Sequence, residues 1–398
     1  MKTSIPKLSG GSLVRNLEMR ADVTAGIAGE NASAVDREAR FPAEAFGSAR
    51  KERLLGILVP AELGGEGVGI SDVANICYML STACGATGMI FAMHQIMAAI
   101  LVRHARSSAW HRLLLRRLAE EQLLLASSTT EGEGGGDLRS SLCAVEQTGS
   151  HITLVKRATV MSYGAAADAI LTTAKRAPDA RPSDQVMVAL LKDDYQLEPI
   201  VEWDTLGMRG TCSSGFVLKA SGQIDQVLPD CYQTIQAETM MPVAHMTWSA
   251  VWAGLAAGAV ERARQFVRNS ARHHNGEPPP GASHLTRAMM SLRNLRAIVV
   301  SALDRYERSL AEGEELESLD FQNAMNLLKV TTSELAISTV MSTMQVCGLT
   351  GYRNDGDFSI SRYLRDVLSS SLMISNDRIL ANSATAALLV EAPPKLRD

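Results

Sequence analysis

The chain has 398 residues, 46% of them apolar and 21% charged, with a formal net charge of −4. Its Lys and Arg residues are scattered and the balance is slightly acidic, which argues against a nucleic-acid partner. Apolar runs such as 123–126 and 256–260 fall short of the roughly 20 residues that cross a bilayer, so no membrane span is expected. The N-terminus has no apolar h-region, so no secretory signal is expected either.

Residues 15–55 place apolar side chains at three- and four-residue spacing among Glu, Asp and Arg, as amphipathic helices require. A glycine-rich turn, Gly64 to Gly69, follows Val59 and Pro60. Residues 71–103 are almost uniformly small and apolar and read as a helix buried on several sides, and 108–124 read as another, rich in Leu and Arg. Six cysteines (Cys77, Cys84, Cys143, Cys212, Cys231, Cys347) show no paired spacing. They read as reduced thiols of a cytoplasmic protein, not as a disulfide framework or a metal site.

The texture changes near residue 126. From there to about 235, period-two runs (HITLVKRATVMSY, AAADAILTTAK, DQVMVALLK, GFVLKASGQI) alternate with turns, the signature of a small sheet or barrel. Residues 176–184 read as an exposed hairpin loop. Helical texture returns after 236. The first segment carries alanine and glycine on one face, the prolines at 278–280 end it, and 284–311, 317–346 and 359–390 make three more. The domains expected are therefore 1–125, helical; 126–235, β; and 236–398, a four-helix array.

Chemistry concentrates in a few segments. In residues 127–137, Ser127, Ser128, Thr129 and Thr130 lead through Glu131 into glycines whose backbone N–H groups can approach a ligand unobstructed. The segment is neither a Walker loop nor a dinucleotide fingerprint. Further along stand Gly56 with Pro60, Gly64 and Gly65; Met161, Ser162 and Tyr163; the run Leu206, Gly207, Met208, Arg209, Gly210, Thr211; Gln345 with Gly348 and Gly351; and Arg365 with Asp366.

In this order, and with Thr130, Glu131, Gly135 and Asp137 matching a T-E-x-x-x-G-S-D segment, the chain resembles the acyl-CoA dehydrogenase superfamily from Gly56 to Asp366. The resemblance implies an α+β fold: an N-terminal helical domain, a middle β-barrel or sandwich domain and a C-terminal four-helix bundle. It implies bound FAD, an acyl-CoA or acyl carrier protein substrate oxidised at its CH–CH group, a flavoprotein or O2 as electron acceptor, and a homodimer or homotetramer. Carried over residue by residue, Thr130 and Ser162, with Met161 before it, would meet the isoalloxazine ring, and Ser128 and Thr129 its edge. Gln345, Gly348 and Gly351 would contact the adenine-dinucleotide part, and Arg272 would keep part of the pyrophosphate site, whose usual following sequence is here His273, His274, Asn275, Gly276.

The departures concern the base. A dehydrogenation needs a carboxylate to take the α-proton. The family's usual position falls on Ile374 and its alternative on Trp248; neither is acidic. Glu131, Asp377 and Glu238 are the remaining weak candidates. Three readings follow: a dehydrogenase with a base from one of these; a reduced-flavin monooxygenase of the same fold, for which Ser162, His94, Asn376 and the serines 369–371 are candidate steering groups; or a relative that binds a carrier protein without chemistry. Ser162 also reads as a strand-end hydroxyl, and His94 as a packed core residue.

Overall fold

The computed structural model describes residues 10–131, 140–313 and 315–389. The N-terminal helices are α1 (Gly10–Glu38), α2 (Ala43–Lys51), α3 (Ile70–Ala83), α4 (Gly85–His104) and α5 (Ala109–Glu121). The apolar stretch at 71–103 is thus two helices where one was expected. Cys84 sits between them in extended conformation (φ −148°, ψ 112°), so the helical ladder is interrupted there. Helix α5 ends at Gln122, left-handed at φ 55°, whose side chain accepts from Leu55 N and donates to Ala119 O.

The middle region holds β1 (Leu125–Ser128), β2 (Glu146–Thr148), β3 (His151–Ala158), β4 (Ala169–Lys175), β5 (Gln185–Leu191), β6 (Tyr195–Val201) and β7 (Gly215–Gln223). They form a three-stranded sheet, β1-β4-β5, and a four-stranded sheet, β2-β3-β7-β6. β1 pairs parallel to β4; the other pairings are antiparallel. β3 shows why one sheet face is wet: Ile152, Leu154, Lys156 and Ala158 turn inward while His151, Val155 and Arg157 face solvent. β4 and β5 are buried along almost their whole length and are mostly apolar, with the hydroxyls of Thr172 and Thr173 buried in the middle of β4. The loop at 176–184 is tied by Arg176 N to Asp184 O at 2.9 Å and by an exposed ion pair between the same residues.

A short helix α6 (Tyr232–Ile235) runs through a π-helical turn (Gln236–Met240) into α7 (Met241–His273). Then come α8 (Ser283–Glu312), α9 (Leu319–Tyr352), α10 (Ser361–Leu368) and α11 (Asn376–Leu389). The single segment expected at 359–390 is broken, because a 3-10 turn (Ser369–Ser371) and a left-handed Ile374 (φ 51°) separate α10 from α11. Helix α9 is kinked at Gly348. Contrary to the reading of short apolar runs, α4 and the stretch Tyr232–His273 are long and apolar enough to cross a membrane. Their apolar windows are 89% and 83% buried inside the fold, as core helices of a globular protein also are. The small residues of α7 permit close approach: a Cβ on Gly254 would lie 2.3 Å from Tyr78 O on α3.

The three parts meet at α10. Arg365 pairs with Asp36 at the end of α1 and donates to Leu206 O at 3.0 Å. The buried Asp366 carboxylate accepts from Met208 N at 2.7 Å. Arg362 and Tyr363 donate to Ala83 O and Thr82 O at the end of α3. The loop before β7 fits only because residue 207 has no side chain: a Cβ there would lie 2.1 Å from Arg365 O. We therefore expect Gly207→Ala to destabilise the protein by about 2–4 kcal/mol, as overpacking and lost buried bonds do. Chemical denaturation of the two proteins side by side checks this; an unchanged midpoint would show that the junction yields without cost.

Candidate active site

The hydroxyl-rich segments converge at the end of β1 and the loops that follow β3 and precede β7. Thr129 and Thr130 continue β1 and are half-buried; Thr130 Oγ1 donates to Val160 O at 3.3 Å. Met161 N bonds Ser214 O, and the half-buried Ser162 Oγ lies 2.8 Å from Ser213 Oγ, itself 2.8 Å from Thr211 Oγ1. Thr211 Oγ1 in turn donates to Met208 O, so this hydroxyl chain is anchored on the junction at α10. Each hydroxyl carries one proton and two lone pairs, so Thr129, Thr130 and Ser162 retain capacity for a ring that offers carbonyl oxygens and an N–H. That donor set fits a flavin.

Two of the expected contacts are placed differently. The Met161 side chain is wholly buried and packs beneath Gly164, so only its backbone faces the loop. Ser128 turns into the sheet: its Oγ is buried without a partner, and its carbonyl accepts from Thr172 Oγ1 at 2.9 Å. Gly132, Gly134, Gly135, Gly136 and Asp137 lie outside the described residues.

Glu131 and Glu238 are both committed to partners. Glu131 accepts from Ser141 Oγ at 2.5 Å and Leu142 N at 2.7 Å, with the buried Lys156 ammonium at 3.4 Å. Burial alone would raise its carboxyl, but those bonds and the Lys156 charge hold it below the usual carboxylate range. Its carboxylate ties residue 131 to Ser141 and Leu142 and is a poor base. Glu238 is clamped by Arg103 through Nε at 3.0 Å and Nη2 at 2.7 Å. Asp377 is exposed in the first turn of α11.

His94 does not steer chemistry. It is fully buried, its Nε2 donates to Leu55 O at 2.8 Å, and its Nδ1 accepts from Leu125 N at 3.0 Å. That neutral tautomer agrees with burial pushing the imidazole down to about 4. Gln345 and Gly348 are exposed near the end of α9, with Leu349 (78% exposed) and Tyr352 (72% exposed) beside them, whereas Gly351 is buried. Arg272 is exposed in the last turn of α7.

The surroundings of Ile374 and Trp248 hold groups that the sequence reading missed. Lys329, on α9, has no exposed surface; its ammonium donates to Ile374 O at 2.6 Å and Asn376 Oδ1 at 2.7 Å, and sits 5.7 Å from the centre of the Trp252 ring. Asn376 Nδ2 donates to Ser333 Oγ at 2.9 Å. Burial pushes the ammonium down to about 8. On α7, one turn before Trp248, His245 Nδ1 meets Met325 O at 3.0 Å while its Nε2 has no partner, and the indole N–H groups of Trp248 and Trp252 are also buried and unpaired. Only the mid-helix Lys in LDFQNAMNLLKV signalled this cluster, and a lysine there reads as an exposed face.

Burial, with the nearby Lys329 charge, also pushes His245 down to about 4. A histidine kept neutral by folding stabilises fully above its unfolded value near 6.5, and that stability is lost as pH falls from there toward 4. His245→Gln, which can keep a bond to Met325 O, should flatten the dependence of unfolding free energy on pH between 6.5 and 4.5 by about 1.4 kcal/mol per pH unit. Urea titrations at stepped pH check it; parallel profiles for the two proteins would contradict it.

Known proteins agree with this architecture. Residues 17–122 match the family model "Acyl-CoA dehydrogenase, N-terminal domain", and 235–388 match "Acyl-CoA dehydrogenase, C-terminal domain". The chain is 24% identical over 351 residues to amino sugar nitrososynthase DnmZ of Streptomyces peucetius, covering 85% of this chain and 84% of the relative. It is 22% identical over 360 residues to dibenzothiophene monooxygenase of Mycolicibacterium goodii (83% and 85% covered). It is 23% identical over 378 residues to cyclohex-1-ene-1-carbonyl-CoA dehydrogenase of Geobacter metallireducens (94% and 97% covered). Among solved structures, FMN-bound TdsC from Paenibacillus sp. A11-2 superposes with a TM-score of 0.81 at 18% identity, over 96% of this chain and 100% of that one. With both terminal domains matched and the middle sandwich between them, this chain belongs to the acyl-CoA dehydrogenase superfamily, a family of flavin-dependent enzymes.

Proposed function

We propose that the chain is a flavin-dependent monooxygenase acting on a nitrogen or sulfur atom of an organic substrate. The observation that carries this reading is the environment of residue 374. The dehydrogenase resemblance calls for a carboxylate there or at 248, and the chain has Ile374 and Trp248, with the Lys329 ammonium on the Ile374 carbonyl. A cation so close favours ionised carboxylates and weakens them as bases, which is the opposite of what α-proton removal requires. Oxygenation of a heteroatom lone pair needs no such base. The names of two relatives, a nitrososynthase and a dibenzothiophene monooxygenase, support the class of chemistry.

Reduced flavin would supply two electrons, and O2 would give one oxygen atom to the substrate and the other to water. Thr130 and Ser162 would hold the ring, and the chain from Ser162 through Ser213 to Thr211 would keep a hydroxyl proton oriented at the ring's edge. FMN is the flavin we propose, in place of the FAD first expected. The exposed Arg272 ahead of a segment without the family's usual sequence supports it, and so does the FMN-bound neighbour.

Flavin released by heat from the purified protein should chromatograph as FMN. Supplied with FMN, an NADH-dependent flavin reductase and O2, the protein should oxygenate a thiophene or an amino sugar, while anaerobic acyl-CoAs should leave the flavin yellow. Anaerobic bleaching by any acyl-CoA would replace this reading with thioester dehydrogenation. Ser162→Ala and Thr130→Val should each weaken FMN binding about three- to tenfold, as loss of one or two hydrogen bonds does. Fluorescence-quenching titrations measure this; identical affinities and spectra in both variants would place the flavin elsewhere.

A further inference from the structure

We infer that Lys329 is a positioning residue that locks the turn at 374–376 as a wall of the reaction space, an inference that rests on the flavin site proposed above. Three observations carry it. The first is the lysine itself. Its ammonium is removed from solvent, and among the described residues no carboxylate pairs with it. Burying a cation without a counter-ion is unfavourable, so a lysine there is not a filler of apolar space.

The second is what it holds. Ile374 is β-branched and sits at φ 51°, a left-handed conformation that such side chains rarely adopt and that persists only when the surroundings enforce it. The ammonium bonds that residue's carbonyl at 2.6 Å and the Asn376 side chain at 2.7 Å, so one cation ties the strained residue to the side chain two positions on. Ser333 takes the Asn376 amide, which fixes its orientation.

The third is where the turn lies. It follows α10, whose Asp366 fixes Met208, and from Met208 the chain Thr211, Ser213, Ser162 leads to the hydroxyls assigned to the ring. The turn and the hydroxyl chain thus both connect to the junction at α10, and residue 374 is the position where the resemblance expects the family's carboxylate. On the far side the unpaired His245 Nε2 and the Trp248 and Trp252 N–H groups line the same α7 face, so the lysine is the charged centre of a polar seam between α7, α9 and the turn. Lys329 thus does for this turn what no residue of the turn does for itself: it holds a shape that presents Ile374 rather than a carboxylate.

The test uses the full chain with FMN, and neither substrate nor O2. Lys329→Met keeps length and apolar bulk but removes charge and donors; Lys329→Arg keeps both. Amide hydrogen exchange at 374–377 should quicken at least tenfold in Lys329→Met, with exchange in the β-sandwich unchanged, and return to within about threefold of the original protein in Lys329→Arg. The visible absorption of bound FMN should change in Lys329→Met and be restored in Lys329→Arg. Unchanged exchange at 374–377 would overturn the clamp. Quickened exchange with an unaltered flavin spectrum would overturn the assignment of the turn to the reaction space. If Lys329→Met does not fold, Asn376→Leu, which removes one arm of the clamp, should quicken exchange at 374–377 about threefold to tenfold, and unchanged exchange there would overturn the proposal. Because no arm measures oxygenation, these results stand apart from the failure or success of the monooxygenase reading.

Discussion

The buried carboxylate of Asp366 is the constraint on which the rest of the structure depends. Burial pushes it up to about 6, while the Arg362 guanidinium and the Met208 amide pull the other way. Its neighbour Arg365 spans Asp36 and Leu206 O. Three segments far apart in sequence are thereby fixed at one point: the end of α1, the loop before β7 and the start of the last helical pair. A partly desolvated network of this kind fixes geometry more surely than it adds stability, because each member left unpaired would cost more than the pairing gains. The hydroxyl chain from Thr211 through Ser213 to Ser162 is anchored on it through Met208.

This puts a different meaning on the sequence motifs. The run from Leu206 to Thr211 and the pair Arg365 and Asp366 are the most specific marks of the superfamily in this chain, yet the backbone of Leu206 and Met208 and the side chains of Arg209, Arg365 and Asp366 serve to join domains. Arg209 binds Asp36 O, Asp204 and Thr205 O; none of these bonds points at a ligand. A motif can be recognisable because a junction tolerates little change, and its presence then speaks for the scaffold more than for a particular reaction.

The fold was legible because its causes are local and periodic. Alternation in β3 and β7, the largely apolar runs of β4 and β5, and the alanine and glycine face of α7 each follow from where side chains must go. Breaks were harder to see. At the first break only Gly85, just after Cys84, hints at an interruption, and at Ile374 neither Gly nor Pro marks the left-handed residue. The candidate site was legible only where hydroxyls and glycines cluster. The half-buried positions of Ser162 and Thr130 agree with hydroxyls open to a ligand, whereas the inward turn of Ser128 and the commitment of Glu131 to Ser141, Leu142 and Lys156 depend on contacts from elsewhere in the chain. Lys329 was invisible for the same reason. A lysine in a helix is ordinarily solvated, and only the approach of Ile374 and Asn376, 45 and 47 residues away, makes it a clamp.

The close approach of α7 to α3 at Gly254 and Tyr78 also bears on how the chain is made. The apolar faces of α3 and α4 are covered by a helix that leaves the ribosome only after the whole β-sandwich has been synthesised. The first half of the polypeptide must therefore wait with sticky surfaces uncovered, and long-range closure of this sort is slow. During synthesis, the N-terminal helices are a natural client for holding chaperones. Growth conditions that slow translation would lengthen that exposed interval.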